Sequence, residues 1–400
     1  MTAGPIAAGS RVLITDASER SMLAASRGLG AAGYEVSAAA FAPLAAGHWS
    51  RSCSGRLRVT DPRVDACGFV ADLRRYLDRQ PCDALVAGSD FSLLAVSRER
   101  DALDGVTLLG LPSHQVVQRS FDREVLAAAA DAAGLSPAAA VRCDDVEAAV
   151  SAAEEFGFPV LLKSICTVEN RGAAVAAGPD TRRVADQLQL RSVAGLYGKS
   201  WLVQRVQSGR MLSVGGVIAG GQLRGIAVSA YARTWPPRAG NVAFSVTVKP
   251  PPALEEAVTA LLRHVGWEGI FELELIESDR GTLTPIDLNP RPYGSMALAV
   301  ASGANLPGIW CDWLLGRNGE PARRSPGRTR PGRHYRWEEA DLRNLVWQLR
   351  RRHYRAAAQV LRPWRQVVHA YFRASDPLPL LTRVLSLITG RIRARAGSRS

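Results

Sequence analysis

The chain has 400 residues, of which 47% are hydrophobic and 22% charged, with a formal net charge of +13. That length accommodates two or three domains with a sizeable core, and no run of about 18 apolar residues marks a membrane span. The charge is uneven: residues 320–400 hold nineteen arginines, no lysine and five acids, so the first 319 residues are close to neutral. Six cysteines and six histidines are scattered without metal-ligand spacing, which points to reduced thiols, a cytoplasmic location and no zinc site. The opening MTAGPIAAGSRVLIT lacks a basic start followed by an apolar stretch, so it does not read as a signal peptide.

In chain order, RVLIT (11–15) reads as a first strand, and the following helix is expected to be capped by Ser18 and closed by Gly33. Gly28, Gly30 and Gly33 match G-x-G-x-x-G. A dinucleotide site needs those glycines between a strand and the start of a helix. Here they end a helix and enter a strand, so they read as small-residue packing plus a helix stop. YEVSAAAF (34–41) is the second strand, followed by a helix over 65–79 and the apolar runs DALVAGS (83–89) and TLLGLPS (107–113). This β-α alternation predicts an open parallel sheet over roughly residues 1–110.

The chemistry concentrates further on. GFPVLLKS (157–164) is a turn and an apolar strand ending in Lys163, one of three lysines in a chain with forty-seven arginines. A compact ammonium suits a phosphate oxygen; the bland alternative is a strand end meeting water. GIFELELIESDRGTLTPIDLNPRP (269–292) reads as two strands around Gly281. Alternation puts Phe271, Leu273 and Leu275 on one face and Glu272 and Glu274 on the other. On the second strand, Ile286 and Leu288 face the core, while Asp287 and Asn289 face away. A two-residue Arg280-Gly281 loop would set Glu274 opposite Asp287 and Glu272 opposite Asn289; a bulged turn would shift that register. Facing carboxylates repel unless they point at water or a cation neutralises them, and hard carboxylate and amide oxygens suit magnesium. Arg291 follows directly, placed to hold a phosphoryl group.

Lys163, the hinge-like WLVQRVQSG (201–209) and FELELIES…PIDLNPRPYGS together resemble the ATP-grasp superfamily, nearest its carboxylate–amine ligase and carbamoyl-phosphate-synthase-like branch, over roughly residues 11–316. The resemblance implies an α/β protein with an α+β lid: a Rossmann-like pre-ATP-grasp domain (1–112), a lid with its connecting helix (113–205), a C-terminal subdomain with the metal site (206–318) and a basic helical tail (319–400). It implies magnesium, or manganese in its place, at Glu274, Asp287 and Asn289. Arg123 and Lys163 would meet the phosphates, the backbone of Gln204, Arg205, Val206 and Gln207 the adenine, and Arg291 and Arg233 phosphate or substrate. The implied reaction passes from ATP and a small carboxylate through an acyl phosphate to an amine. The rivals are a nucleotide-binding protein of weak turnover with a scaffolding or regulatory role, and a carboxylating or phosphorylating enzyme of the same superfamily with no amine acceptor. Three departures from the family pattern bear on that choice. Arg123 stands where a lysine is usual, Met211 where an acid often contacts the ribose, and the phosphate-covering segment SICTVENRGAAV (164–175) has only Gly172 among its first ten residues.

In the tail, EPARRSPGRTRPGRHYR (320–336) reads as a linker and WEEADLRNLVWQLRRRHYRAAAQVLRPW as an amphipathic helix with Leu342, Leu345, Val346 and Leu349 on one face. A second apolar helix with an arginine-rich end closes the chain. Three readings stay open: helices packed on the body, association with the inner membrane surface, or binding of an acidic partner. No nucleic-acid module is visible, so nucleic acid is not the expected partner.

Overall fold

The computed structural model describes residues 9–237, 240–317, 327–362 and 366–397. Residues 1–8 lie outside the described residues, as does the first part of the expected linker (320–336), up to residue 326. The first sheet is parallel, in the order β3-β2-β1-β4-β5, from β1 (Arg11–Ile14), β2 (Glu35–Ala40), β3 (Gly55–Arg58), β4 (Ala84–Val86) and β5 (Leu108–Leu109). The helix after β1 runs Arg20–Ala31, and its N-cap is Glu19, without a side-chain hydrogen bond, instead of Ser18. Gly33, at φ +85°, ends it as expected. At Gly28 a Cβ would collide with Asn305, whose Nδ2 donates to the Gly28 carbonyl at 2.8 Å. These glycines therefore serve a helix packed tightly on a distant segment.

The segment expected as a lid forms an antiparallel sheet, β10-β7-β11-β6, built from β6 (Ala140–Cys143), β7 (Val160–Ser164), β10 (Arg182–Val184) and β11 (Trp201–Arg205). Between β7 and β10, the segment expected as a phosphate-covering loop is a hairpin of β8 (Val168–Arg171) and β9 (Ala174–Ala177). It docks on the first domain: Ala66 N donates to Ala173 O at 2.9 Å, Val175 N to Pro62 O at 3.1 Å, and Arg98 to Gly172 O at 3.1 Å.

The large sheet runs β16-β15-β12-β13-β14-β17-β18: β12 (Arg210–Ala219), β13 (Gln222–Trp235), β14 (Asn241–Thr247), β15 (Gly269–Glu277), β16 (Leu283–Asn289), β17 (His334–Arg336) and β18 (Val367–His369). Its last two strands come from the segment expected as linker and tail. One core joins Leu13 and Leu85 of the first sheet to Phe271, Leu273 and Leu275 of β15, each such side chain contributing about 1.5–3 kcal/mol on burial. The tail helix Glu338–Arg350 and the C-terminal helix Leu378–Gly397 pack beside this body, linked by Glu339, which binds Arg383 at 2.7 Å.

Candidate functional site

The β15–β16 hairpin pairs Glu272 with Asn289 and Glu274 with Asp287, in the expected register. The route to it differs. Residues 278–282 form the connection, and a bulge past Glu274 restores the pairing that a two-residue loop would have given. Ile286, expected to face the core, falls at that bulge and is only half-buried. Bulges beside active sites re-aim backbone groups, and here the Ile286 carbonyl accepts from Lys163 Nζ at 3.1 Å.

Lys163, at the end of β7, is 5% exposed. Burial lowers its ammonium to about 8, against the pull of Asp287 and Glu274. Glu272 is buried too, and accepts from Ser213 Oγ at 2.5 Å and from Asn289 Nδ2 at 3.1 Å. The Tyr231 hydroxyl donates to Glu274 at 2.8 Å. Desolvation first, then Glu272 and Asp287, pushes the Glu274 carboxyl up to about 8. Arg123 bridges the lid to this cluster: it donates to Ser164 O at 2.7 Å and lies 3.6 Å from Asp287. Its Nε is buried without a hydrogen-bond partner, a donor that costs about 1–3 kcal/mol until an acceptor arrives.

These groups fit a hard divalent cation bound together with a phosphate: carboxylate oxygens crowded beyond what Lys163 and Arg123 neutralise, and an orphaned guanidinium donor beside them. Among the described residues no three acidic, histidine or cysteine side chains close around one point. Magnesium shared with a nucleotide needs fewer protein ligands, because phosphate oxygens and water complete its shell.

The carboxylate face lines a cavity of about 340 Å³ whose opposite wall comes from the carboxyl ends of the first-domain strands: Asp16, Asp61, Arg63 and Gly88 to Asp90. Crevices outside those strand ends are where open α/β sheets bind ligands. Asp16 is held at φ +57°, with Ser89 Oγ donating to it at 2.9 Å and Gly88 N at 3.2 Å. Asp90 receives a two-pronged pair from Arg291 (2.6 and 2.9 Å), which also reaches Asn289 Oδ1 at 3.1 Å. Arg291 therefore ties the first domain to the carboxylate hairpin.

Gln204 is buried on β11, where Leu202 pairs with Lys163 and Gln204 with Leu161, so Gln204 to Gln207 continue from that pair into the crossing between lid and large sheet. Met211 lies on β12 opposite Ile276. Arg233 departs from expectation. It sits on β13, paired by Asp341 at 2.9 and 2.7 Å and stacked 4.2 Å over Phe244, and is not among the residues lining the carboxylate cavity. The tail supplies the acid that holds it, and no local signal announces so distant a partner. Sequence reasoning also missed Ser213, Tyr231, Asp16 and Asp90; Tyr231 alone had a cue, two residues before Arg233 on the same strand.

The raised Glu274 carboxyl makes ligand-free stability fall with pH. Folding takes up a proton wherever Glu274 is neutral folded and ionised unfolded, so its contribution is complete below pH 4.5 and lost as pH rises through about 8. Lys163, depressed from 10.5 to about 8, has the opposite sign above pH 8. Glu274→Gln is therefore expected to raise Tm over the parent by a margin that widens between pH 5 and 8. Scanning calorimetry checks this; a constant margin would remove the charge cluster from the account.

Residues 199–339 match the family described as ATP-grasp in the biosynthetic pathway with Ter operon. The arginine-specific carbamoyl phosphate synthase large chain of Eremothecium gossypii is 36% identical over 89 residues, covering 22% of this chain and 7% of that protein. The carbamoyl phosphate synthase large chain of Archaeoglobus fulgidus is 24% identical over 271 residues, covering 60% of this chain and 24% of that one. The chain thus spans less than a quarter of the length of these relatives. Among solved structures, N5-carboxyaminoimidazole synthetase from Staphylococcus aureus superposes with TM-score 0.61 at 11% identity over 84% of this chain and 83% of its own. The biotin carboxylase domain of Hydrogenobacter thermophilus 2-oxoglutarate carboxylase, in complex with MgADP, ADP and bicarbonate, gives 0.61 at 16% identity over 81% and 73%. L-amino acid ligase from Bacillus licheniformis gives 0.59 at 13% identity over 81% and 78%.

Proposed function

We propose that this chain, which has the ATP-grasp fold, is an ATP- and magnesium-dependent ligase that activates a carboxylate as an acyl phosphate and joins it to an amine. The observation that carries the reading is the pairing of Glu272 with Asn289 and Glu274 with Asp287 beside buried Lys163, across a cavity closed by the first-domain strand ends. The complexes of the Hydrogenobacter protein with MgADP and bicarbonate support it as a fold-level analogy.

A carboxylate oxygen of the substrate attacks the γ-phosphorus of ATP, and the bond to the β–γ bridging oxygen breaks to release ADP. The amine nitrogen then attacks the acyl carbon, phosphate leaves, and the amine gives up a proton. Lys163 and Arg123 hold the phosphate oxygens at the lid, Lys163 as a point charge and Arg123 through its planar guanidinium. Backbone groups from Gln204 to Gln207 line the adenine. Glu274, Asp287 and Asn289 would hold magnesium, which would supply charge neutralisation to the phosphates when bound. Arg291, positioned by Asp90, presents the substrate wall of the cavity. Arg233 lies outside the lining of that cavity, on the strand face that Asp341 covers, and is left out of this reading.

Incubation with ATP, magnesium, pooled carboxylic acids and hydroxylamine tests the reading. Hydroxamate formed in step with ADP is the expected result; ADP released without hydroxamate from any acid pool would contradict an acyl phosphate. The docked β8–β9 hairpin favours one rival, a nucleotide-binding protein without turnover, and its signature would be bound ADP with neither product.

A further inference from the structure

The C-terminal helix is not used by the chemistry, and its two sides differ. On the body side Thr382 is buried, Leu380 packs against the cluster of Tyr335 and Tyr371, and Arg383 pairs with Glu339 at 2.7 Å. On the other side Leu378, Leu381, Val384, Leu385 and Ile388 are 45–56% exposed. Their spacing is one continuous helical stripe, and the sequence carries the repeat on to Ile392. Phe372, just before the helix, is 45% exposed as well. From residue 377 to the end there are five arginines and no acid. Among the described residues no helix is long and apolar enough to cross a membrane.

We infer that this stripe is a docking face for an anionic lipid surface, with the helix lying in the plane of the interface. Apolar side chains along one face, arginines concentrated toward the end and low net hydrophobicity are what an interfacial helix requires. Charge decides among occupants. A second copy would bring two strongly basic tails together, whereas an anionic bilayer neutralises them and takes up the leucines at the same time. A nucleic acid would satisfy the arginines and leave the apolar stripe in water. A helix of twenty residues is about 30 Å long, enough to lay the whole stripe on a bilayer while Asp376, bonded to Arg27 at 3.0 Å, anchors its start on the first domain.

The full chain is pelleted with vesicles of phosphatidylcholine alone and of phosphatidylcholine mixed with phosphatidylglycerol, alongside the double variant Leu381→Glu/Leu385→Glu, and the mass of both proteins is measured in solution. Both substituted residues are exposed, so thermal melts of parent and variant should coincide. The expected result is binding to the mixed vesicles only, weakened at about 1 M salt where the Debye length is near 3 Å, and reduced about tenfold or more in the variant. Failure to pellet with the mixed vesicles, or equal binding by the variant, would overturn the inference. A dimer that the double variant dissociates, with no vesicle binding, would assign the stripe to a second copy instead.

Discussion

Asp287→Asn and Glu274→Gln are each expected to lower kcat/KM for ATP turnover by about 10³-fold, close to 4 kcal/mol of transition-state stabilisation. Both substitutions keep size and shape and remove one negative oxygen from the face that opposes the phosphates. Their effects on the ligand-free fold should diverge from their effect on turnover. Burial first, then Glu272 and Asp287, pushes the Glu274 carboxyl up to about 8, so above its ordinary value the fold bears the cost of protonating it, and Gln removes that cost and raises Tm. Asp287 lies 3.6 Å from Arg123 and also draws on Lys163, so its loss leaves Tm level or slightly lower. A cluster kept for function at a cost in stability behaves in this way. Steady-state kinetics beside calorimetry checks the pair; full turnover in both variants would remove these residues from the reaction.

Arg27→Ala is expected to destabilise the chain by about 3–5 kcal/mol, the cost of stranding a buried carboxylate. Arg27 and Asp376 have side chains only 9% and 6% exposed, and their Nε–Oδ2 distance is 3.0 Å. The same carboxylate accepts from Ser50 Oγ at 2.6 Å and from Arg51 N at 3.1 Å, and Arg27 also donates to the carbonyls of Tyr371 and Asp376. Hydrogen bonds and the charge of Arg27 outweigh burial and hold the Asp376 carboxyl below its ordinary value. That part of stability is present above the ordinary value of 3.8 and lost as pH falls below it. Chemical denaturation of the parent and variant at neutral pH measures the difference. A change under about 1 kcal/mol would mean that the pair is solvent-screened and that the tail is held by its other contacts.

The parts of the site legible in the sequence were those written in local alternation. Glu-Leu-Glu-Leu in β15 and Ile-Asp-Leu-Asn in β16 fixed which side chains share a face, whereas the expected Glu274–Asp287 pairing rested on a two-residue turn that the structure replaces with a longer connection and a bulge. The compensating bulge at Ile286 was not legible, because one inserted residue leaves no compositional trace. Alternating βα signals likewise exposed most of the first sheet. They missed β3, whose GRLR offers a single apolar residue. The hairpin β8–β9 was hidden by reading its glycine shortage as a poor loop, although buried Val168 and Val175 mark its two strands. Long-range acids were beyond reach. Asp341 closes the short acidic run Glu338-Glu339-Ala340-Asp341 and Asp376 stands alone in an arginine-rich stretch, and only the fold brings them to Arg233 and Arg27.

In the proposed reading the hairpin carboxylates and Lys163 form one nucleotide–metal site. Calorimetric titration of the protein with ADP, with and without magnesium, tests it before any substrate is known, with Asp287→Asn and Lys163→Met in parallel. ADP is expected to bind more tightly with magnesium in the parent, to lose that dependence in Asp287→Asn and to bind about tenfold or more weakly in Lys163→Met. Binding that ignores magnesium in the parent, or a magnesium dependence unchanged in Asp287→Asn, would contradict it.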